Sequence, residues 1–416
     1  MARLTGMLLS GHDRAQSTAL REVEALAHDT DPQQRALAAA VLGEAQSPES
    51  VHLLPPLLAD VDPSVQCAAL YAASLVQSPA LWSTILDTLA DPKTAGAAAI
   101  ALIAGGAEAL PAIEVRFDEE AKSANPRRRL LVRLVRICGR IRGEAAEAFL
   151  KSRLDFPNFE VRNQILHALT LCHHQASADE RAHVDAQLRR EVSECAWLLA
   201  ARIDLAAGGG TDPRIELLIR ALDNAHATTR QNIFSLLSFL YDRATVLHAR
   251  DNFSNPLPEK RAYALEVIDI MLASDHRTLV LTVLEAEDIR AELQGLESAF
   301  PQEQMSIEAR VTEIITASSA RIDGWSRACA IHTAPAIAGP EDGNDLVAAV
   351  KGAFSSPEPV VRDAASQAWA EMEPGVAGEE PLRPREIAGA KGDAWTPSTV
   401  ADHGASALFA RRRSLS

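Results

Sequence analysis

Asp-Pro recurs at Asp31-Pro32, Asp62-Pro63 and Asp91-Pro92, at intervals of 31 and 29 residues, and this period constrains the fold more than any other feature. Asn125-Pro126 and Phe156-Pro157 continue it, 34 and 31 residues further on. The dipeptide has a mechanism. Aspartate accepts hydrogen bonds from the free N–H groups of a helix's first turn, and proline suits the next position because its missing N–H has no partner to lose. A helix start every ~30 residues, with room for a second helix between, predicts a stack of two-helix units in which each layer rests mainly on its neighbours.

The unit after Asp31 reads QQRALAAAVLGEA, with Ala36, Ala39, Ala40 and Leu42 at helical spacing as the inner face, and Gly43 loosening the helix end. The second helix, ESVHLLPPLLAD, carries Val51, Leu54, Leu57 and Leu58, with a bend expected at Pro55-Pro56. DPSVQCAALYAASLVQS and PALWSTILDTLAD repeat the pattern. Small residues on first helices permit close approach, and the leucines of second helices fill the layers between. Later units read NPRRRLLVRLVRICGRI, NFEVRNQILHALTLC, TTRQNIFSLLSFLYD, PEKRAYALEVIDIML (with Leu265 as a layer residue), DGWSRACAIHTAPAI and PEPVVRDAASQAWAEM. Arg35, Arg162, Arg230, Arg261, Arg327 and Arg362 stand near the starts of first helices, where each could bond a loop aspartate of a neighbouring unit as a rung of a ladder.

The D-P-x-x-x-[RQ]-x-A-A pattern resembles the short class of HEAT repeats, the class that includes phycobilin-lyase-like proteins, over about Asp31 to Glu373. The resemblance implies an all-α, right-handed α-solenoid of stacked two-helix repeats. In the second half, RQNIFSLLSFLY, PEKRAYALEVIDIML and DGWSRACAI are similar to HEAT arrays attached to bacterial ADP/ATP carrier-like nucleotide transporters. The positions that carry this likeness, Arg261, Ala264, Leu265, Glu266, Trp325, Arg327, Ala328 and Cys329, are packing positions in that group, so no catalytic residue is implied. No membrane-spanning carrier or cyclic-nucleotide-binding segment is recognisable, and transport itself is not expected. The organisation expected is a capping helix within residues 1–30, repeats over 31–207 and 211–374, and a tail or linker without structure over 375–416. Gly208-Gly209-Gly210 reads as a hinge between the halves; it lacks the Gly-Lys-Ser/Thr ending of a P-loop.

Composition narrows the function. With 56 acidic and 41 basic residues the net charge is −15, which argues against nucleic-acid binding and against a DNA glycosylase of the same repeat class. Aromatic content of 4% and abundant alanine favour close-packed helices. The longest uncharged run, Thr94–Ala107, has 14 residues, short of the ~20 apolar residues that span a bilayer. It is expected to be a buried helix, and no direct membrane span is expected. The N-terminus lacks a secretory leader pattern. Five scattered cysteines without a C-x-x-C suit a reducing compartment, and a cytoplasmic location follows as the expectation, extended to the inner face of the cytoplasmic membrane if the transporter likeness holds.

Of the chemistry-bearing clusters, CHHQASADERAHVD places Cys172, His173, His174, Asp179, His183 and Asp185 together, but without the spacing of a zinc site, and reads as a polar loop. Asp118-Glu119-Glu120 reads as a solvated loop beside Arg116. Trp82, Trp197 and Trp369 read as core; Trp395 and the Arg411-Arg412-Arg413-Ser414 end resemble short docking and kinase motifs. The outstanding feature is the segment Arg127–Arg142, with seven arginines in an acidic chain. Arg129, Arg133, Arg136 and Arg140 fall on one helix face and form the candidate site for an anionic partner. No catalytic, metal-binding or cofactor-binding residue is expected. The functional expectation is a non-enzymatic scaffold whose concave surface, lined by loops and second helices, binds a protein partner. The alternatives are a soluble regulatory arm of a nucleotide-transporter-like membrane complex and a bilin lyase-like enzyme.

Overall fold

The computed structural model describes residues 1–10, 12–46, 48–207, 212–285, 288–338 and 344–372. Two compact units divide the chain, Met1–Trp369 and Ala370–Ser416, and of the second only residues 370–372, the end of the last helix, are described. The Gly208–Gly210 hinge, the 375–416 tail, Trp395 and the terminal arginines therefore lie outside the described residues. Every regular element among the described residues is helical, consistent with an α-solenoid.

The chain begins with α1 (Ala2–Leu8) and α2 (Asp13–Ala27). First helices of the repeating units follow as α3 (Pro32–Ala45), α5 (Pro63–Val76), α7 (Ala95–Gly105), α9 (Arg128–Ile141) and α11 (Phe159–Leu171). Between them lie the second helices α4 (Leu54–Leu58), α6 (Trp82–Thr88), α8 (Leu110–Lys122) and α10 (Gly143–Lys151). Each first helix packs on the next. Asp31 and Asp62 cap α3 and α5 as the sequence implies, whereas Asp91 closes a turn ahead of α7, whose N-cap is Thr94. Asp31, Asp62 and Asp91 each accept, through Oδ1, the N–H two residues on, at 2.9, 2.8 and 2.9 Å, and Asp212 does the same at 2.8 Å. Where α9 begins with arginine and no such acceptor exists, Glu120 of α8 supplies one, accepting from the Arg127 N–H and from its guanidinium at 2.7 Å. Asp118-Glu119-Glu120 is thus the end of a helix, not a solvated loop, and Glu120 is buried.

Gly43 does not loosen the end of α3. It is buried inside the helix, where a Cβ would meet Ala72 Cα of α5 at 2.8 Å; Gly139 meets Ala168 of α11 at the same distance. The true ends of α3 and α5 are Gln46 and Gln77, both in the left-handed region, at φ 48 and 51. Pro55 and Pro56 sit in the first turn of α4 after a tight 3-10 turn, so they start the α-helix and do not bend it. One stretch, Ala95–Lys122, is long and apolar enough to cross a membrane by length and composition. Gly106, at φ 57, divides it into α7 and α8, and both halves pack on their neighbours.

The short period then stops. Two long helices follow, α12 (Arg181–Ala207) and α13 (Pro213–Leu240), packed on each other. The remaining helices are α14 (Arg243–Phe253), α15 (Pro258–Met271), α16 (Ser274–Glu285), α17 (Ile289–Leu296), α18 (Ile307–Thr316), α19 (Gly324–Ile337), α20 (Asn344–Ala353) and α21 (Pro359–Met372). In α15 the inward residues are Ala264 and Ile268, while Leu265 is half-buried, one position off the expected phase. Contact is not confined to sequence neighbours. α19 packs on α13, α17 and α18 pack on α12, and the Phe159 N–H donates to the Ser319 carbonyl at 2.7 Å. Buried polar side chains at α11–α13 replace the small apolar contacts of the first units, which is why the strictly one-dimensional expectation fails there.

Gly139→Val should therefore lower stability by about 1–3 kcal/mol through overpacking against α11. Gly352→Val, at a helical glycine with open space around it, should not. Denaturant midpoints of the two variants measure the difference.

Candidate partner-binding surface

The register of the first helices fixes which side chains face outward. Counting from the N-cap residues Asp31, Asp62, Arg127 and Asn158, and from Asp91, which opens the turn ahead of α7, the ninth position on is Ala40, Tyr71, Ile100, Arg136 and His167. The count is anchored by the glycines, since Gly43 and Gly139 hold the same place in their units, as do Ala72 and Ala168. At this place Tyr71 is 51% exposed and Ile100 62% exposed, Arg136 is exposed, and Ala40 and His167 are half-buried. Ala40, read from the sequence as inner, belongs to this outer row.

The four arginines of the candidate stripe separate into two groups. Arg129, Arg136 and Arg140 project from α9 as exposed side chains, and among the described residues none of the three makes an ion pair. Arg133 is half-buried and donates to the Leu89 carbonyl at the end of α6, so it is spent within the fold. Burial first, and then the positive charges of Arg250 and Arg136, push the His167 imidazole below its ordinary value, so Arg136 acts across α11 while Arg250 is itself paired with Asp251 at 2.9 Å. Glu160 feels the charge of Arg129 at longer range.

The ladder arginines follow the geometry of first-helix starts but seldom find aspartate. Arg35 does, holding Asp60 through two bonds of 2.6 and 2.9 Å. The others cap carbonyls: Arg162 on Ala320, Arg230 on Val283, Arg261 on Leu284, Arg327 on Ile315 and Arg362 on Ser356. A guanidinium reaching past the end of a neighbouring helix meets its last carbonyls whichever residue follows, so the acceptor need not be encoded as aspartate.

The His-rich segment is dispersed. His174 is buried on Glu147 at 2.8 Å, His183 meets Asp155 at 3.1 Å, and Asp185 meets His276 of α16. Among the described residues no group of three or more His, Cys, Asp or Glu could hold a metal ion. Burial pushes the thiols of Cys138 and Cys329 up to about 12 and that of Cys172 to about 11, and raises Cys195 further, so these four sulfurs stay protonated and inert as nucleophiles. Two cavities have volumes of ≈ 250 Å³, beside Asp204 and Arg290, and ≈ 220 Å³, beside Glu160 and Trp325. Both lie below the ~300–1,000 Å³ of typical small-molecule sites. Trp82 and Trp197 are core residues; Trp369 is half-buried against Phe354 and Lys351.

Residues 21–112 match the HEAT repeats family. No curated protein matches the chain. The HEAT-matched segment runs from α2 into α8 and carries Tyr71 and Ile100 on its exposed row, immediately before the arginines of α9.

Beyond that segment the interior holds ion pairs that sequence reading did not reveal. Arg310 of α18, 1% exposed, bonds Asp204 of α12 at 2.7 and 2.9 Å and also Glu313. Arg128 bridges Glu160 at 2.8 Å and Glu358 at 2.7 Å, and Arg321 holds Glu194 at 2.8 Å over the Trp197 ring. The pairs Arg310–Asp204, Arg321–Glu194 and Arg128–Glu358 join residues more than a hundred positions apart, and periodicity carries no signal for such pairings. Arg310→Met should cost about 3–5 kcal/mol, because Asp204 is left buried without its partner, whereas Arg310→Met with Asp204→Leu should recover most of the loss. Thermal or denaturant unfolding of the three proteins checks this.

Proposed function

We propose that the protein is a non-enzymatic scaffold that binds a protein partner. HEAT repeats commonly serve as protein-interaction scaffolds. The observation that carries the reading is the exposure of Tyr71 and Ile100 at equivalent places on α5 and α7. Large apolar side chains at one repeated outward position leave a surface that a partner can cover at a gain of about 25 cal/mol per Å² of apolar area removed from water. The partner surface in this proposal is the row of first helices, not the second helices and loops. The stack is taken as a right-handed series of two-helix units, with the segments 31–207 and 211–374 as its halves.

The likeness of the second half to arrays attached to nucleotide transporters supports a narrower version, a regulatory arm acting at the inner face of the cytoplasmic membrane. Nothing on the helices favours the bilin-lyase alternative, and a bilin would need a larger cavity than those beside Asp204 and Glu160. A cytoplasmic location fits the five cysteines, all free thiols.

The scaffold reading is tested by affinity capture from the native source with the wild-type chain and with Tyr71→Ser/Ile100→Ser. A specific protein should be recovered by the wild type and depleted at least about fivefold by the double variant, whose fold should be intact because both side chains are exposed. Equal recovery by both proteins would contradict it.

A further inference from the structure

The outward row changes character along the stack, and the change defines a partner. Ala40 is small, Tyr71 and Ile100 are exposed apolar groups on α5 and α7, and Arg136 follows on α9 with Arg140 one turn beyond. On the next first helix the equivalent place is held by His167, half-buried and kept toward its neutral form by burial and by Arg250 and Arg136. We propose that this row is a docking lane for an acidic segment of a partner protein, with apolar side chains seated over Tyr71 and Ile100 and carboxylates on Arg136 and Arg140. The inference rests on the scaffold reading and specifies its partner.

Three observations lead there. First, Arg129, Arg136 and Arg140 make no ion pair among the described residues, although the chain carries −15 and other arginines, such as Arg35, Arg128, Arg153 and Arg310, are paired. Like charges three to four residues apart on a helix repel unless something anionic compensates. Second, Arg127, Arg128 and Arg133 of the same segment are tied to Glu120, to Glu160 and Glu358, and to the Leu89 carbonyl, so the fold uses the arginines that face it and leaves the outward ones facing solvent. Third, the basic group adjoins an apolar step. A bare anion such as phosphate has no use for Tyr71 and Ile100, while an acidic peptide with apolar anchors uses both.

Spacing adds a condition on sequence. Packed helices lie about 8–10 Å apart, so passing from Tyr71 to Ile100 and on to Arg136 takes two such steps. An extended chain rises about 3.3 Å per residue, so the fitting segment has apolar residues about three positions apart and acidic residues about three positions further on. Association should be steered by charge and weaken with salt, since exposed charges are screened beyond ~10 Å at 0.1 M ionic strength.

The test is a fluorescence titration of the full chain with a short synthetic peptide carrying two leucines at that spacing followed by a run of glutamates. A peptide with lysines in place of the glutamates, a scrambled acidic peptide, inorganic phosphate, and vesicles containing anionic lipid are run in parallel. The acidic peptide should bind the wild type. Arg136→Glu/Arg140→Glu should weaken it about tenfold or more, and Ile100→Ser should weaken it without changing its salt dependence. Arg14→Glu/Arg21→Glu makes the same change of net charge at exposed sites on α2 and should have no effect. Circular dichroism confirms that each variant is folded. Several results would overturn the lane: equal binding of the lysine or scrambled peptide, indifference to the α9 reversals, no binding of the acidic peptide, or binding of the vesicles or of phosphate in its place. Loss of the native partner on Tyr71→Ser/Ile100→Ser, together with a failed peptide titration, rejects the acidic partner and leaves the scaffold reading standing. A partner captured equally by that double variant rejects both.

Discussion

The close approach of one first helix to the next underlies everything that precedes α12. Gly43 against Ala72 and Gly139 against Ala168 bring backbones within a distance that no Cβ could share. Facing residues that small leave little volume to fill, so each unit must match the next in phase. Phase is supplied by Asp31 and Asp62, which cap α3 and α5, and by Asp91, which closes the turn leading into α7. Fixed starts and fixed contact points together determine which positions face outward. The same constraint that packs the helices therefore aligns Tyr71, Ile100 and Arg136 in one row.

A different kind of interaction takes over at the long helices. Arg310 with Asp204, Arg321 with Glu194, and Arg128 with Glu160 and Glu358 tie the later helices to α9, α11 and α12. Such pairs specify an arrangement more than they stabilise it, since removing charges from water offsets much of their attraction. Glu160, Glu191 and Glu194 have pKa values raised mainly by burial. A carboxylate raised in this way disfavours its charged form in the fold. The stabilising contribution is therefore present below the raised value and is lost as pH rises through it. Glu180 behaves oppositely: bonds from Lys151 and the Ser177 N–H hold it at about 2, so its contribution is present above the ordinary carboxylate range and lost as pH falls toward that value.

Much of the early architecture was legible because its causes are local. An aspartate before proline announces a cap whatever the rest of the chain does, and the period of the first units needed no structure to find. The proposed partner face was legible only in part. Arg129, Arg136 and Arg140 stood out by charge, but their partner Arg133 could not be told apart from them, because its acceptor is a backbone carbonyl 44 residues away. Tyr71 and Ile100 were hidden for another reason: an apolar residue within an alanine-rich helix reads as core, and only alignment on the caps reveals that the position turns outward. Glu120 was misread as solvated because its role depends on the helix that follows. The return of α18 and α19 onto α12 and α13 leaves no mark in the period at all.

In the proposed function the partner covers the outward row of first helices. Side-chain footprinting of the native complex tests that most directly, using tyrosine- and arginine-selective reagents with quantification by mass spectrometry. Tyr71, Arg136 and Arg140 should lose reactivity when the partner is bound, while Tyr263, equally exposed on α15, should keep it. Unchanged labelling at Tyr71 and Arg136, with protection elsewhere on the chain, would contradict the claim.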